Sequence, residues 1–290
     1  MRKRFRRAAA LTLVALAVVW VAVAAVAAVG TPEPVAATTE SGEPAGPLVP
    51  AGAPSPTQSE PEQGVMAVST ISKRALPSCE VGDEPTARAE LGDWPYTVLD
   101  TRFMLPAAYA PTDLVDLGAA LSGISRYAAP AGMLFREVGV ADLQALVKDA
   151  QAAGIALEVI SAYRSFDYQQ RTFDGWVAED GYEQALRSSA RAGHSEHQLG
   201  TALDLRTRGG PPAWDLADWA TTPEGAWTAA NAWRYGFVMS YPSGKESITC
   251  YMYEPWHYRY LGRELAAEVH ASGLTTREYL WNLETTVSGE

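Results

Sequence analysis

The chemistry available to this 290-residue chain starts from four histidines, His194, His197, His257 and His270. Two of them sit in short segments with acids at useful spacing. The first segment is Ser195-Glu196-His197-Gln198-Leu199-Gly200-Thr201-Ala202-Leu203-Asp204. Gly200 permits a sharp turn or a close backbone approach. Residues 201–205 then alternate like a strand, which puts Ala202 and Asp204 on one face. A turn followed by such a strand can fold Asp204 back beside His197, and the small Ala202 leaves room for an ion. The second segment is Glu254-Pro255-Trp256-His257-Tyr258-Arg259-Tyr260. Pro255 biases Glu254 away from helix, so this is an extended or bent stretch and not a helical metal-binding pair. In a regular strand 254 and 257 would face opposite sides. A bend at Pro255-Trp256 would aim both at one cavity, and spacing alone leaves that open. Two His and one Asp suit zinc, with an open position for water and a nearby Glu to take its proton.

Taken singly, each histidine reads as a surface or hydrogen-bonded core residue, and Asp204 as a turn residue at a strand end. Together with Glu254 they favour a metal site. Upstream, Arg164 in Ser161-Ala162-Tyr163-Arg164-Ser165 follows directly on a predicted strand. Such an Arg can fork onto a carboxylate through two parallel hydrogen bonds; the plainer alternative is a surface ion pair. His194 has HxxH spacing with His197 but stands apart from the pattern. His270 falls in an amphipathic stretch and reads as exposed.

The elements that must position these residues are partly legible. Ala141–Ala153 places Leu143, Leu146, Val147 and Ala150 on one helical face, with Gly154 where a helix stops. Ile155–Ser161 reads as a short buried strand, and Ser165 opens a second helix through Gln169, Gln170 and Phe173. Thr222-Pro223-Glu224 has the signature of a helix start, and Gly236 closes that helix. Phe237–Tyr241 and Ile248–Tyr253 look like strands. Thr275 and Glu278 form a capping box that opens a last helix. Helices and strands mix without regular βαβ alternation, so the fold class is α+β.

The ends of the chain are of another kind. Residues 1–30 hold a basic start with five Lys and Arg, then 22 residues, Ala8 to Val29, whose one polar side chain is Thr12. As a helix these span about 33 Å, enough to cross a bilayer. An anchor is the favoured reading and a cleaved signal the alternative. Either way the basic residues stay in the cytoplasm and the rest lies outside. Residues 31–78, rich in Pro, Ala, Gly, Ser and Glu, read as a disordered tether. One domain is expected over 79–285, with 286–290 as a tail. Without the basic start, 18 Lys and Arg face 34 Asp and Glu, which excludes nucleic acid as a partner. Contact with a membrane is confined to the N-terminal helix, and nothing points to an oligomer. Cys79 and Cys250, on the exported side, read as a disulfide, with two buried thiols as the alternative.

In that order, SAYRSFDYQ, SEHQLGTALDL and EPWHYRY resemble the three signatures of VanY-type D-alanyl-D-alanine carboxypeptidases. These are zinc D,D-peptidases related to D-Ala-D-Ala dipeptidases and to the hedgehog fold. The resemblance covers roughly Trp94 to Gly262, and every position of SxHxxGxAxD and ExxH is filled. It implies a small central antiparallel sheet flanked by helices, with Zn2+ held by His197, Asp204 and His257. It also implies Glu254 as catalytic base, Arg164 as the residue that fixes and polarises the substrate, and Ser195 and Gln169 as supporting substrate contacts. The implied substrate is a peptidoglycan stem peptide ending in D-Ala-D-Ala. A peptidoglycan endopeptidase or D-Ala-D-Ala dipeptidase on the same scaffold is the nearest alternative. A non-catalytic zinc-stabilised wall-binding module is the alternative of another class, and the intact Glu254 argues against it.

Overall fold

The computed structural model describes residues 75–125 and 128–287. The expected anchor or signal, most of the expected tether and residues 288–290 lie outside that range. Among the described residues no helix is long and apolar enough to cross a membrane.

The strands, in chain order, are β1 (Glu84–Pro85), β2 (Phe103–Met104), β3 (Leu114–Asp116), β4 (Leu134–Arg136), β5 (Leu157–Ser161), β6 (Ala202–Thr207), β7 (Phe237–Met239) and β8 (His257–Tyr260). The helices are α1 (Leu117–Leu121), α2 (Val140–Ala152), α3 (Phe166–Asp180), α4 (Tyr182–Ser188), α5 (Pro223–Asn231), α6 (Glu246–Thr249), α7 (Arg263–Ser272) and α8 (Thr276–Val287). Four strands form the central sheet in the order β5-β6-β8-β7, with every neighbouring pair antiparallel. Helices cover it, as an α+β fold with a small antiparallel sheet requires.

Strand alternation divides this sheet into two unlike faces. Leu157, Val159, Leu203, Leu205, Phe237, Tyr258 and Tyr260 join one apolar core. The buried stripe of α2, Leu143, Leu146, Val147 and Ala150, packs into that same core. These are the four residues that the helical period selects. Leu143, Leu146 and Val147 each contribute roughly 1.5–3 kcal/mol on burial. The other face carries Ala202, Asp204, His257 and Arg259, with Ala202 opposite Arg259 and Asp204 opposite His257. A bulge between Val159 and Ser161 brings Ser161 opposite Asp204.

The helix starts follow local chemistry. Ser165 Oγ accepts from the Tyr168 N–H and caps α3. Thr222 Oγ1 accepts from Gly225 N–H, with Pro223 in the first turn of α5. Beyond α5 the chain tightens into a 3-10 turn, Ala232–Tyr235, and Gly236 closes it with φ 85°. Thr275 and Glu278 exchange both bonds of a capping box at α8.

Ile248–Tyr253 is not a strand. Lys245 O accepts from Ile248 and Thr249 N–H, which winds the short α6, and Cys250 follows with φ 71°. That left-handed residue carries the half-cystine bonded to Cys79, across 171 residues of sequence. Closing such a loop removes up to about 5 kcal/mol of unfolded-state entropy. Beside the bridge, Arg277 pairs with Asp100 at 2.6 Å and donates to the Ile248 and Pro77 carbonyls. Trp281 Nε1 donates to Ala75 O. Residues 75–78 therefore lie against α8 and not in a free tether, and α8 extends two residues into the stretch expected as a tail.

Candidate metal centre

His197 sits on a single 3-10 turn, Glu196–Leu199, that Ser195 caps by accepting from the His197 N–H. Gly200 ends the turn in the left-handed region at φ 76°. A Cβ there would come within 2.9 Å of Arg136 Cγ, so the position needs glycine on both counts. The chain then enters β6, and Asp204 returns beside His197 as its alternation predicts. The His197 Nε2 to Asp204 Oδ2 distance is 3.3 Å.

The bend that spacing could not prove is present at Pro255-Trp256. His257 N–H donates to Glu254 O at 3.1 Å, closing a turn immediately before β8. Glu254 Oε2 consequently lies 3.8 Å from His257 Nδ1, on the same side as Asp204. His257 Nδ1 stands 3.1 Å from Asp204 Oδ1. The two imidazoles meet edge to face with centroids 5.0 Å apart.

Each ring has one nitrogen committed elsewhere. His197 Nδ1 donates to Ala162 O at 2.6 Å, which leaves the Nε2 lone pair facing Asp204. That Nε2 is buried and has no hydrogen-bond partner among the described residues, despite its closeness to the carboxylate. His257 Nε2 donates to Glu196 Oε2 at 2.9 Å, which leaves Nδ1 facing Asp204. Two lone pairs and a carboxylate thus converge, with their ligand atoms all within 4.8 Å of one another. In a tetrahedral site with bonds of ~2.0–2.1 Å, ligand atoms stand about 3.3 Å apart. The donor set, the spacing and the orphaned Nε2 fit zinc.

Burial and neighbouring charges set the electrostatics of this cluster. Burial, with the Arg164 charge, pushes His197 down to about 4. Burial also works against a charge on His257, but hydrogen bonds to Asp204 and Glu196 outweigh it and hold the ring at about 10. For Asp204, burial is again outweighed, by the two histidines, and its carboxyl falls well below the usual range. Burial pushes the Glu254 carboxyl up to about 7, the range in which a group can both take and return a proton near neutrality.

The remaining expected residues divide. Arg164 follows β5, donates its backbone N–H to His197 O, and its Nε has no partner among the described residues. Its charge bears on both His197 and Glu254. Ser195 Oγ is engaged as the turn's cap. Gln169 is buried in α3, with Nε2 donating to Ala190 O at 2.6 Å and Oε1 unpaired. His194 is a structural residue, bonded to Asp100 O and Asp83 Oδ1. His270 is exposed and stacks on Trp233 at 4.2 Å.

Sequence reasoning missed Glu196 and Arg259. Both are buried, and they pair at 2.9 Å behind His257. The available signal was strand alternation in HYRY, which puts Arg259 on the face of His257.

The profile of the VanY family, described as D-alanyl-D-alanine carboxypeptidase, matches residues 134–263. A D-alanyl-D-alanine carboxypeptidase of Enterococcus faecium is 37% identical over 136 residues, covering 47% of this chain and 40% of that one. The chain spans between 40% and 65% of the length of the curated relatives it matches. Among solved structures, the LdcB LD-carboxypeptidase superposes with TM-score 0.55 at 32% identity, covering 65% of this chain and 87% of that one. A mutant of the vancomycin resistance D,D-pentapeptidase VanY, solved in complex with Zn(II), superposes with TM-score 0.53 at 30% identity. It covers 64% of this chain and 99% of that one. The profile spans the segments that build the His197, Asp204 and His257 cluster, and the chain belongs to the VanY family of D-alanyl-D-alanine carboxypeptidases.

Proposed function

We propose that this chain is a zinc-dependent carboxypeptidase that removes the terminal D-Ala from peptidoglycan stem peptides. The observation that carries the reading is Glu254 beside a complete, buried ligand set, 3.8 Å from His257 Nδ1. His197 through Nε2, His257 through Nδ1 and Asp204 would hold the metal. When bound, zinc supplies a Lewis acid for the scissile carbonyl and a water of lowered pKa. Glu254 takes the water's proton on its carboxylate and passes it to the amine of the departing D-Ala. Arg164 holds the substrate beside the scissile bond with an uncommitted, charged donor. Ser195 serves that chemistry indirectly, by capping the turn that aims His197.

The reading includes export. Ala8–Val29 would serve as anchor or signal, and the Cys79–Cys250 bridge suits an oxidising compartment. The likeness to LdcB supports a second reading, an L,D-carboxypeptidase that takes the tetrapeptide instead. Mass spectrometry of stem pentapeptide and tetrapeptide, with chelator and with zinc restored, tests both. Loss of one alanine from the pentapeptide, abolished by chelation, is the expected result. Cleavage of the tetrapeptide alone favours the second reading, and no cleavage by a zinc-loaded protein rejects both.

A further inference from the structure

We propose that Glu196 is a positioning residue for the metal centre, which selects the nitrogen that His257 presents and strengthens it as a ligand. The inference rests on the reading of His197, Asp204 and His257 as ligands, and goes beyond it to a residue outside the ligand set. An imidazole can present either nitrogen, and a half-turn about its Cβ–Cγ bond puts a ring carbon in the place of each, so a hydrogen bond at one nitrogen fixes what the other presents. The two histidines here present opposite ones. His197 is locked by the Ala162 carbonyl so that Nε2 faces inward. His257 is locked by Glu196, through Nε2, so that Nδ1 faces inward.

The lock on His257 is a charge that cannot move. Glu196 Oε2 accepts from both His257 Nε2, at 2.9 Å, and Ser240 Oγ, at 2.5 Å. Its Oε1 accepts from the Arg259 guanidinium at 2.9 Å. Arg259 in turn donates to Trp94 O at 2.7 Å. Glu196 and Arg259 are 4% and 1% exposed, so water cannot replace either partner. The Tyr241 ring closes the slot, with its centroid 4.8 Å from that of His257. A buried carboxylate is costly unless paired, and this one is fully paired. It also follows Ser195 and precedes His197, so one 3-10 turn both supplies one ligand and orients another.

A carboxylate on the far nitrogen of a ligating histidine fixes its tautomer and raises its basicity, and losing it weakens metal binding by about 10–100-fold. Glutamine cannot reproduce this arrangement. Its oxygen can serve His257 and Ser240 or Arg259, but its amide N–H groups then face another donor.

The test is zinc affinity of full-length Glu196→Gln, by competition with a chromophoric chelator, together with nitrogen–proton NMR of the histidine rings. About 10–100-fold weaker zinc is expected, with the His257 Nε2–H resonance shifted and that of His197 Nδ1–H kept. Wild-type affinity with an unchanged His257 resonance overturns the proposal. Should Glu196→Gln fail to fold, Ser240→Ala decides, since it removes one uncharged donor and is expected to weaken zinc about fivefold. Unchanged affinity and resonance in Ser240→Ala overturn the proposal equally. His257→Ala separates this inference from its parent: wild-type zinc affinity in that variant rejects the ligand reading itself.

Discussion

On β6 and β8 the chain neighbours Leu203 and Asp204, and Tyr258 and His257, face opposite ways across one sheet. Behind the sheet, Leu203 and Tyr258 share a core with many apolar side chains, and neighbouring atoms there can shift to soften the loss of one. In front of it, Asp204 and His257 stand in a group of buried charges tied to one another by specific hydrogen bonds. The apolar face is held by sums of small terms, the polar face by a few large ones that nearly cancel. Burial raises the cost of each charge there, and the partners return it only when all are in place. Stability and chemistry are thus separable on this sheet, although they alternate residue by residue.

Removing the base alone from the polar face should change chemistry more than stability. Glu254→Gln is expected to keep zinc, keep the unfolding midpoint within about 0.5 kcal/mol, and lower kcat by about 10²–10⁴-fold. Steady-state kinetics on stem pentapeptide with metal analysis of the same sample checks this, and wild-type turnover would remove Glu254 as base. On the apolar face, Leu203→Ala should cost about 2–5 kcal/mol of stability and leave one zinc per chain. Denaturant unfolding and metal stoichiometry measure the two separately; a loss of zinc at unchanged stability would show the faces to be coupled.

A third prediction sharpens the electrostatic half. His257 stands at about 10 in the metal-free fold, above its ordinary value near 6.5. Stability from its bound proton is thus complete below pH 6.5 and is lost as pH rises towards 10. The slope is at most about 1.4 kcal/mol per pH unit. Glu254, raised to about 7, contributes with the same sign only below that value. Between pH 7 and 10 the metal-free protein should lose stability while the zinc-loaded protein, which carries no proton there, stays flatter. Equal slopes with and without chelator would reject this account. Smallest is Thr222→Ala, outside the polar cluster, which removes the cap of α5 and should cost about 1 kcal/mol with kcat untouched. A thermal melt and one activity measurement suffice to test it.

The parts of this molecule that one sequence reveals are those in which a local rule acts alone. The period of α2, the caps at Ser165, Thr222 and Thr275, and the glycine turn at Gly200 are of that kind. Ile248–Tyr253 misled because its β-branched and aromatic residues favour a strand, whereas the turn at Lys245 and the tie to Cys79 decide the backbone there. Glu196 and Arg259 were illegible for another reason. A buried, paired charge and a solvated one look alike in a sequence, and only the register of β8 and the turn before β6 bring these two together. The bend at Pro255 lies between these cases: the spacing leaves it open, and the turn closed by Glu254 O supplies it.

The bridge at Cys79 also has a mechanical meaning. Measured along the chain, the N-terminal entry to the domain and the Glu254 loop are at opposite ends; measured along covalent bonds through Cys250, they are a few residues apart. Tension applied at Ala75 divides at Cys79, and one branch runs directly towards Glu254 without first passing through β5, β6 or β8. Arg277, bonded to Pro77, Asp100 and Ile248 together, sits across that junction. A pull on the leading segment would thus be felt by the loop that carries the base before it reaches the strands that carry the ligands.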